Sequence, residues 1–141
     1  CNKFGQLGLT GKDVVNQRTL ICEVTSTRCE LLCGWTHSAF LDDKGILTMW
    51  GRNKYCQLGV QQMPFRPQPQ QLNFAPFKQV EFGSEHCLGI TLDDEVVSWG
   101  WNEHGNCGTG DTADVTNPTY LKIGSAIGIG AGAGQSFAVI R

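Results

Sequence analysis

The sequence is short of charge. Only 17% of its 141 residues are Asp, Glu, Lys or Arg, and the net charge is −2. A chain that binds nucleic acid or an anionic membrane through its surface field needs a basic patch, and none is present. No run approaches 18 consecutive apolar residues, so no stretch reads as a transmembrane helix. Seven cysteines occur but no Cys-x-x-Cys pair, the spacing that nucleates a zinc site. No segment keeps an apolar period of 3.6, which argues against amphipathic helices. No secretory leader pattern opens the sequence, and its first residue is Cys1 rather than Met.

What the sequence has in excess is glycine, 18 of 141 residues, and the glycines recur at a fixed interval. Gly34, Gly83 and Gly132 stand 49 apart. So do Trp50 and Trp99, Gly51 and Gly100, Asn53 and Asn102, and Gly59 and Gly108. The stretch "MWGRNKYCQLG" (49–59) returns as "SWGWNEHGNCG" (98–108), and "CGWTHSAFL" (33–41) returns at 82–90 and 131–139. The opening "NKFGQLG" (2–8) is a further copy of 53–59. A fixed period of this length marks a solenoid or propeller. It divides the chain into units 1–43, 44–92 and 93–141, the first without its opening strand.

Within a unit, apolar runs of four to six residues alternate with Gly, Asp-Asp and Trp-Gly punctuation, the pattern of short strands joined by tight turns. Asp94 takes the place of Gly45 in one such turn, as a residue that tolerates the left-handed conformation. Four strands and their turns use about 45 to 50 residues, one propeller blade. The expected fold class is all-β, with three consecutive blades of four antiparallel strands. The segment 60–77, rich in Pro and Gln, keeps Pro69 and Leu72 on the period and reads as the outer part of a blade; "PFRP" (64–67) matches a PxxP ligand pattern only weakly.

Alignment of the units separates architecture from variation. Trp50 and Trp99 are expected to pack between blades, with Gly51, Gly100, Asn53, Asn102, Gly59 and Gly108 building the turns around them. His37 and His86 align with Gln135, so hydrogen bonding to backbone is a better reading than catalysis, beside the aligned Gly34, Gly83 and Gly132. Four of the cysteines align with Leu, Phe, Ala, Ser or Gly, which points to free and mostly buried thiols and a reducing compartment. "WNEH" (101–104) differs from its counterpart apart from the asparagine. The stretch reads either as a solvated loop or as a partner contact, and Trp101, Glu103 and His104 are the candidate partner-binding residues, Trp101 first among them. No catalytic residue, metal ligand or cofactor site emerges.

These residues resemble the repeats of the regulator of chromosome condensation family, Cys/Phe-Gly-x-x-His followed by Trp-Gly-x-Asn-x-x-Gly-Gln-Leu-Gly. The family resemblance implies a seven-bladed β-propeller, of which roughly three blades would be present here, so the chain looks like part of a longer protein. Within the family the sequence resembles the C-terminal blades of exchange factors that regulate secretion. It implies a protein-interaction propeller, in the cytoplasm and also the nucleus, whose partner is a small GTPase or a trafficking-complex subunit. The alternative is a propeller subunit that supports tRNA or diphthamide modification with a small zinc protein, since fungal relatives end in a similar Trp-Gly-Trp-x-Glu-His-Gly-Asn-Cys-Gly.

Overall fold

A computed structural model describes residues 1–11, 14–61 and 63–141. The architecture is all-β, and no helix occurs among the described residues. Strands β1 (Cys29–Cys33), β2 (His37–Asp42), β3 (Leu47–Arg52) and β4 (Phe65–Gln71) form one antiparallel sheet in that order. Strands β5 (Phe77–Phe82), β6 (His86–Thr91), β7 (Glu95–Gly100) and the long β8 (Val115–Gly132) form the next. The second part of β8 then pairs with β9 (Gln135–Ile140), with Ala126 opposite Ile140 and Gly132 opposite Gln135.

Sheets and sequence units are out of phase. Unit 44–92 gives β3 and β4 to one sheet and β5 and β6 to the next. The sequence led us to expect three four-stranded blades. The structure has two, plus a hairpin, because each sheet draws its strands from two successive units. The break between β4 and β5 contains Pro76, which has no N–H for a ladder. Its counterpart Ser125 pairs with Glu95, so β8 runs through the same point without interruption. Outer strand β4 carries Pro67 and Pro69, tolerated at a sheet edge where no inward N–H is needed.

The larger apolar cluster lies between the sheets and includes Leu41, Met49, Leu58, Val80, Phe82, Val97 and Trp99; a smaller one gathers Ile90, Val96 and Ala126. The middle sheet is covered on both faces, so every residue of β6 is buried. That explains why "HCLGIT" shows no alternation of polar and apolar residues. In β9, covered on one side only, Phe137 and Val139 remain exposed.

The turns follow the punctuation. Gly45 and Asp94 both take positive φ, 78° and 66°. Gly51 and Gly100 have φ of 109° and 103°. A Cβ at Gly100 would lie 2.7 Å from the Glu85 carbonyl oxygen, and one at Gly51 2.6 Å from that of Thr36. Glycine is required there on both counts.

The cysteines depart from expectation. Cys87 and Cys107 are buried and Cys56 is half-buried, but Cys1, Cys22, Cys29 and Cys33 are exposed. Cys33 aligns with buried Phe82, yet β1 belongs to the first sheet and turns Leu31 and Cys33 outward, with only Leu32 buried. Position in the repeat does not carry burial when one neighbouring sheet differs.

Candidate functional site

The same set of groups recurs in the two sheets. The indole N–H of Trp50 donates to the Gln6 carbonyl at 3.0 Å, and that of Trp99 to the Gln57 carbonyl at 3.0 Å. Trp99 is fully buried and Trp50 nearly so. The Asn that follows each Trp-Gly pair clasps the succeeding loop. Asn53 Nδ2 donates to the Val60 and Met63 carbonyls while its Oδ1 accepts from Leu58 N–H. Asn102 does the same with the Ala113 carbonyl and Cys107 N–H.

The histidines lie buried on glycine. A Cβ at Gly34 would be 2.1 Å from Cε1 of His37, and one at Gly83 2.0 Å from that of His86, so each imidazole occupies the space a side chain would need. At Gly132, where Gln135 replaces histidine, nothing approaches within 4 Å. Each ring reaches a side chain of the following sheet, His37 Nε2 lying 3.5 Å from Cys87 Sγ and His86 Nε2 3.0 Å from Ser136 Oγ. The sequence pointed to a hydrogen bond to main chain; His86 has one with the Gln135 backbone, and each ring adds a side-chain partner 50 residues on, which alignment of the units does not reveal.

Electrostatics decide what the His37–Cys87 pair can do. Burial, and secondarily the charge of His86, push the His37 imidazole down to about 3. Burial pushes the Cys87 thiol well above its ordinary value. The pair is thus a neutral imidazole beside a neutral thiol at physiological pH, the reverse of a thiolate–imidazolium nucleophile. Cys107 is likewise pushed up by burial to about 12.

The rim of the arc carries the variable residues. Trp35 N–H donates to the Ser84 carbonyl and Ser84 N–H to the Ala133 carbonyl, a chain of inner turns from sheet to sheet. Arg52 N–H bonds the Thr36 carbonyl and Trp101 N–H the Glu85 carbonyl, which puts the loops after β3 and β7 on that same rim.

At the first junction the side chains form a polar hub. The buried Glu85 carboxylate accepts from Thr36 Oγ1 at 2.8 Å, from Arg52 at 3.1 Å and from Gln57 Nε2. The Arg52 guanidinium also lies 4.8 Å from the Phe4 ring centroid and 5.5 Å from that of Tyr55. At the second junction the pattern is exchanged as a pair, Trp101 standing for Arg52 and Gly134 for Glu85. The Trp101 ring comes within 3.4 Å of where a Gly134 Cβ would be. An indole on glycine there replaces an ion pair.

The candidate residues Trp101, Glu103 and His104 are brought together by this loop. Trp101 Nε1 donates to Glu103 Oε2 at 3.2 Å, and the His104 ring meets the indole edge-on at 5.1 Å between centroids. Glu103 and His104 are exposed, and Trp101 is half-buried. Sequence reasoning missed Trp35, which is 77% exposed on the same rim. The signal was available: Trp35 aligns with Ser84 and Ala133, as Trp101 aligns with Arg52, and neither aromatic is a feature of the repeat.

The sequence profile described as "Regulator of chromosome condensation (RCC1) repeat" matches residues 44–90 and 93–139. A second profile of that description matches residues 77–106. Among curated relatives, the secretion-regulating guanine nucleotide exchange factor of Mus musculus is 34% identical over 132 residues, covering 77% of this chain and 28% of that protein. A guanine nucleotide exchange factor of Saccharomyces cerevisiae is 35% identical over 102 residues, covering 67% of this chain and 21% of its own. The crystal structure of Prp20p from Saccharomyces cerevisiae, reported with its binding to Gsp1p and histones, superposes with a TM-score of 0.81 at 24% identity over 100% of this chain and 39% of that one. The chain therefore spans about a quarter of the length of these curated relatives.

Proposed function

The chain belongs to the regulator of chromosome condensation repeat family, and on that premise we propose that it acts as part of a protein-interaction propeller regulating a small GTPase in secretion or trafficking. Nucleotide exchange needs no covalent step: the factor binds the nucleotide-free GTPase and opens its phosphate and magnesium site. Such a task asks for a rigid scaffold and a contact surface, not for an activated nucleophile. The observation that carries the reading is the rim on which Trp35, Trp101, Glu103 and His104 gather, all at positions the repeat leaves free to vary. Aromatic side chains on a rigid support are the usual anchors of protein interfaces. The neutral, buried state of the His37–Cys87 pair supports a binding role over a chemical one.

Release of a fluorescent guanine nucleotide from purified small GTPases of secretory traffic tests the proposal. Acceleration by the chain, weakened by Trp35→Ala at unchanged melting temperature and by Trp101→Ala beyond what its loss of about 1 kcal/mol in stability accounts for, supports it. Release that no GTPase shows, together with binding of a small zinc protein of the tRNA- or diphthamide-modifying type, would establish the alternative that the "WGWNEHGNCG" stretch (99–108) raises.

A further inference from the structure

Lys54 and Tyr55 stand where Lys3 and Phe4 stand in the preceding copy of their loop. Both loops are closed by the same clasp. Asn2 Nδ2 donates to the Leu9 carbonyl while its Oδ1 accepts from Leu7 N–H, as Asn53 does with Val60 and Leu58. Lys3 Nζ lies 5.8 Å from the Phe4 ring centroid. Lys54 Nζ lies 4.9 Å from the Tyr55 centroid and donates to its hydroxyl. The Arg52 guanidinium is close to both rings, so three cations share two aromatic rings across the junction of successive loops. The sequence carries no basic run; the fold brings these cations together from two units.

Of the three, only Arg52 has a carboxylate partner among the described residues, the buried Glu85. That carboxylate is taken up by Thr36, Arg52 and Gln57, so it fixes the guanidinium and leaves the ammonium groups of Lys3 and Lys54 unneutralised. Both lysines are exposed, while Phe4, Arg52 and Tyr55 are half-buried. Lys54 is exposed although a copy of its loop stands on either side, at 2–8 and 102–108. The next copy reverses the charge. Glu103 stands for Lys54 and His104 for Tyr55, with exposed Asp111 and Asp114 further along the same loop.

We propose that Lys3, Phe4, Arg52, Lys54 and Tyr55 form a docking patch for a short acidic segment of a partner protein. Carboxylates of the segment pair with the two free ammonium groups, which the rings already hold in place. The Asn clasps and the Glu85 carboxylate fix the support beforehand, so little side-chain freedom is lost on binding. The occupant follows from the size and sign of the patch. Anionic headgroups are held by clusters of about four to eight basic residues, and a duplex by roughly six to ten phosphate contacts. Two free ammonium groups bordered by an acidic loop suit neither extended surface; they match a few carboxylates on one strand. The proposal rests on the reading of this rim as a protein-contact surface, but its test uses no GTPase, so the two can fail separately.

The probe is a fluorescein-labelled peptide of alternating glutamate and serine, into which the 141-residue chain is titrated while anisotropy is followed. Saturable binding is expected, weakened roughly tenfold by Lys54→Glu and further when Lys3→Glu is added. Circular dichroism is expected to stay unchanged in both variants, because both side chains are exposed. Binding is expected to weaken as sodium chloride rises from about 50 to about 300 mM, and to strengthen in Glu103→Lys, which extends the patch. Equal binding of the matching glutamine–serine peptide, no binding of either, or indifference to both lysines would overturn the proposal. So would short duplex DNA or phosphatidylserine vesicles that displace the peptide and bind more tightly through the same lysines.

Discussion

Acid is expected to destabilise this protein through one imidazole. His37 is buried between sheets, with its ring on Gly34, 4.6 Å from the Phe82 ring centroid and near the Cys87 thiol. Its folded pKa is lowered from 6.5 to about 3, burial being the main cause. Between those values the unfolded chain binds a proton that the folded chain refuses. Stability therefore falls as pH drops below 6.5 and stops falling, for this group, near 3. At 1.36 kcal/mol per pKa unit the loss from pH 7.5 to pH 5 is about 2 kcal/mol. The assay is urea unfolding at both pH values for the native chain and for His37→Gln, glutamine being what position 135 carries. His86 is also lowered, chiefly by burial with the Gln135 backbone opposing, and it titrates in both proteins. The difference between the two pH dependences thus isolates His37. Native and variant chains losing the same stability on acidification would refute the reasoning.

Other consequences are as direct. Trp99→Ala should cost about 3–5 kcal/mol in a urea melt, whereas half-buried Trp101→Ala should cost about 1 kcal/mol. Gly100→Val should leave the chain unfolded by circular dichroism at 25 °C, since the Glu85 carbonyl occupies the space its Cβ needs. Under native conditions an alkylating reagent should modify Cys1, Cys22, Cys29 and Cys33 quickly, and Cys87 and Cys107 only after denaturant is added, as read by mass spectrometry. Asn102→Ala should cost about 1–3 kcal/mol, because the Cys107 N–H it satisfies is buried.

The sequence by itself determined the period, the strand punctuation and the Trp-Gly-x-Asn turn, because each rests on local needs: a glycine where φ is positive, an asparagine that closes a loop, alternation and its breaks. It also singled out 101–104 as variable. Only the tertiary structure decided which strands share a sheet, since strands β4 and β5 follow one another in sequence yet belong to different sheets. It decided that Cys33 faces outward while its counterpart Phe82 is buried, and that His37 meets a thiol 50 residues on. It also coupled two substitutions that alignment treats separately: Arg52 with Glu85 at one junction, Trp101 with Gly134 at the next. A repeat specifies what each unit contains. What a side chain touches depends on the unit packed against it, and that neighbour is set by the curl of the whole arc.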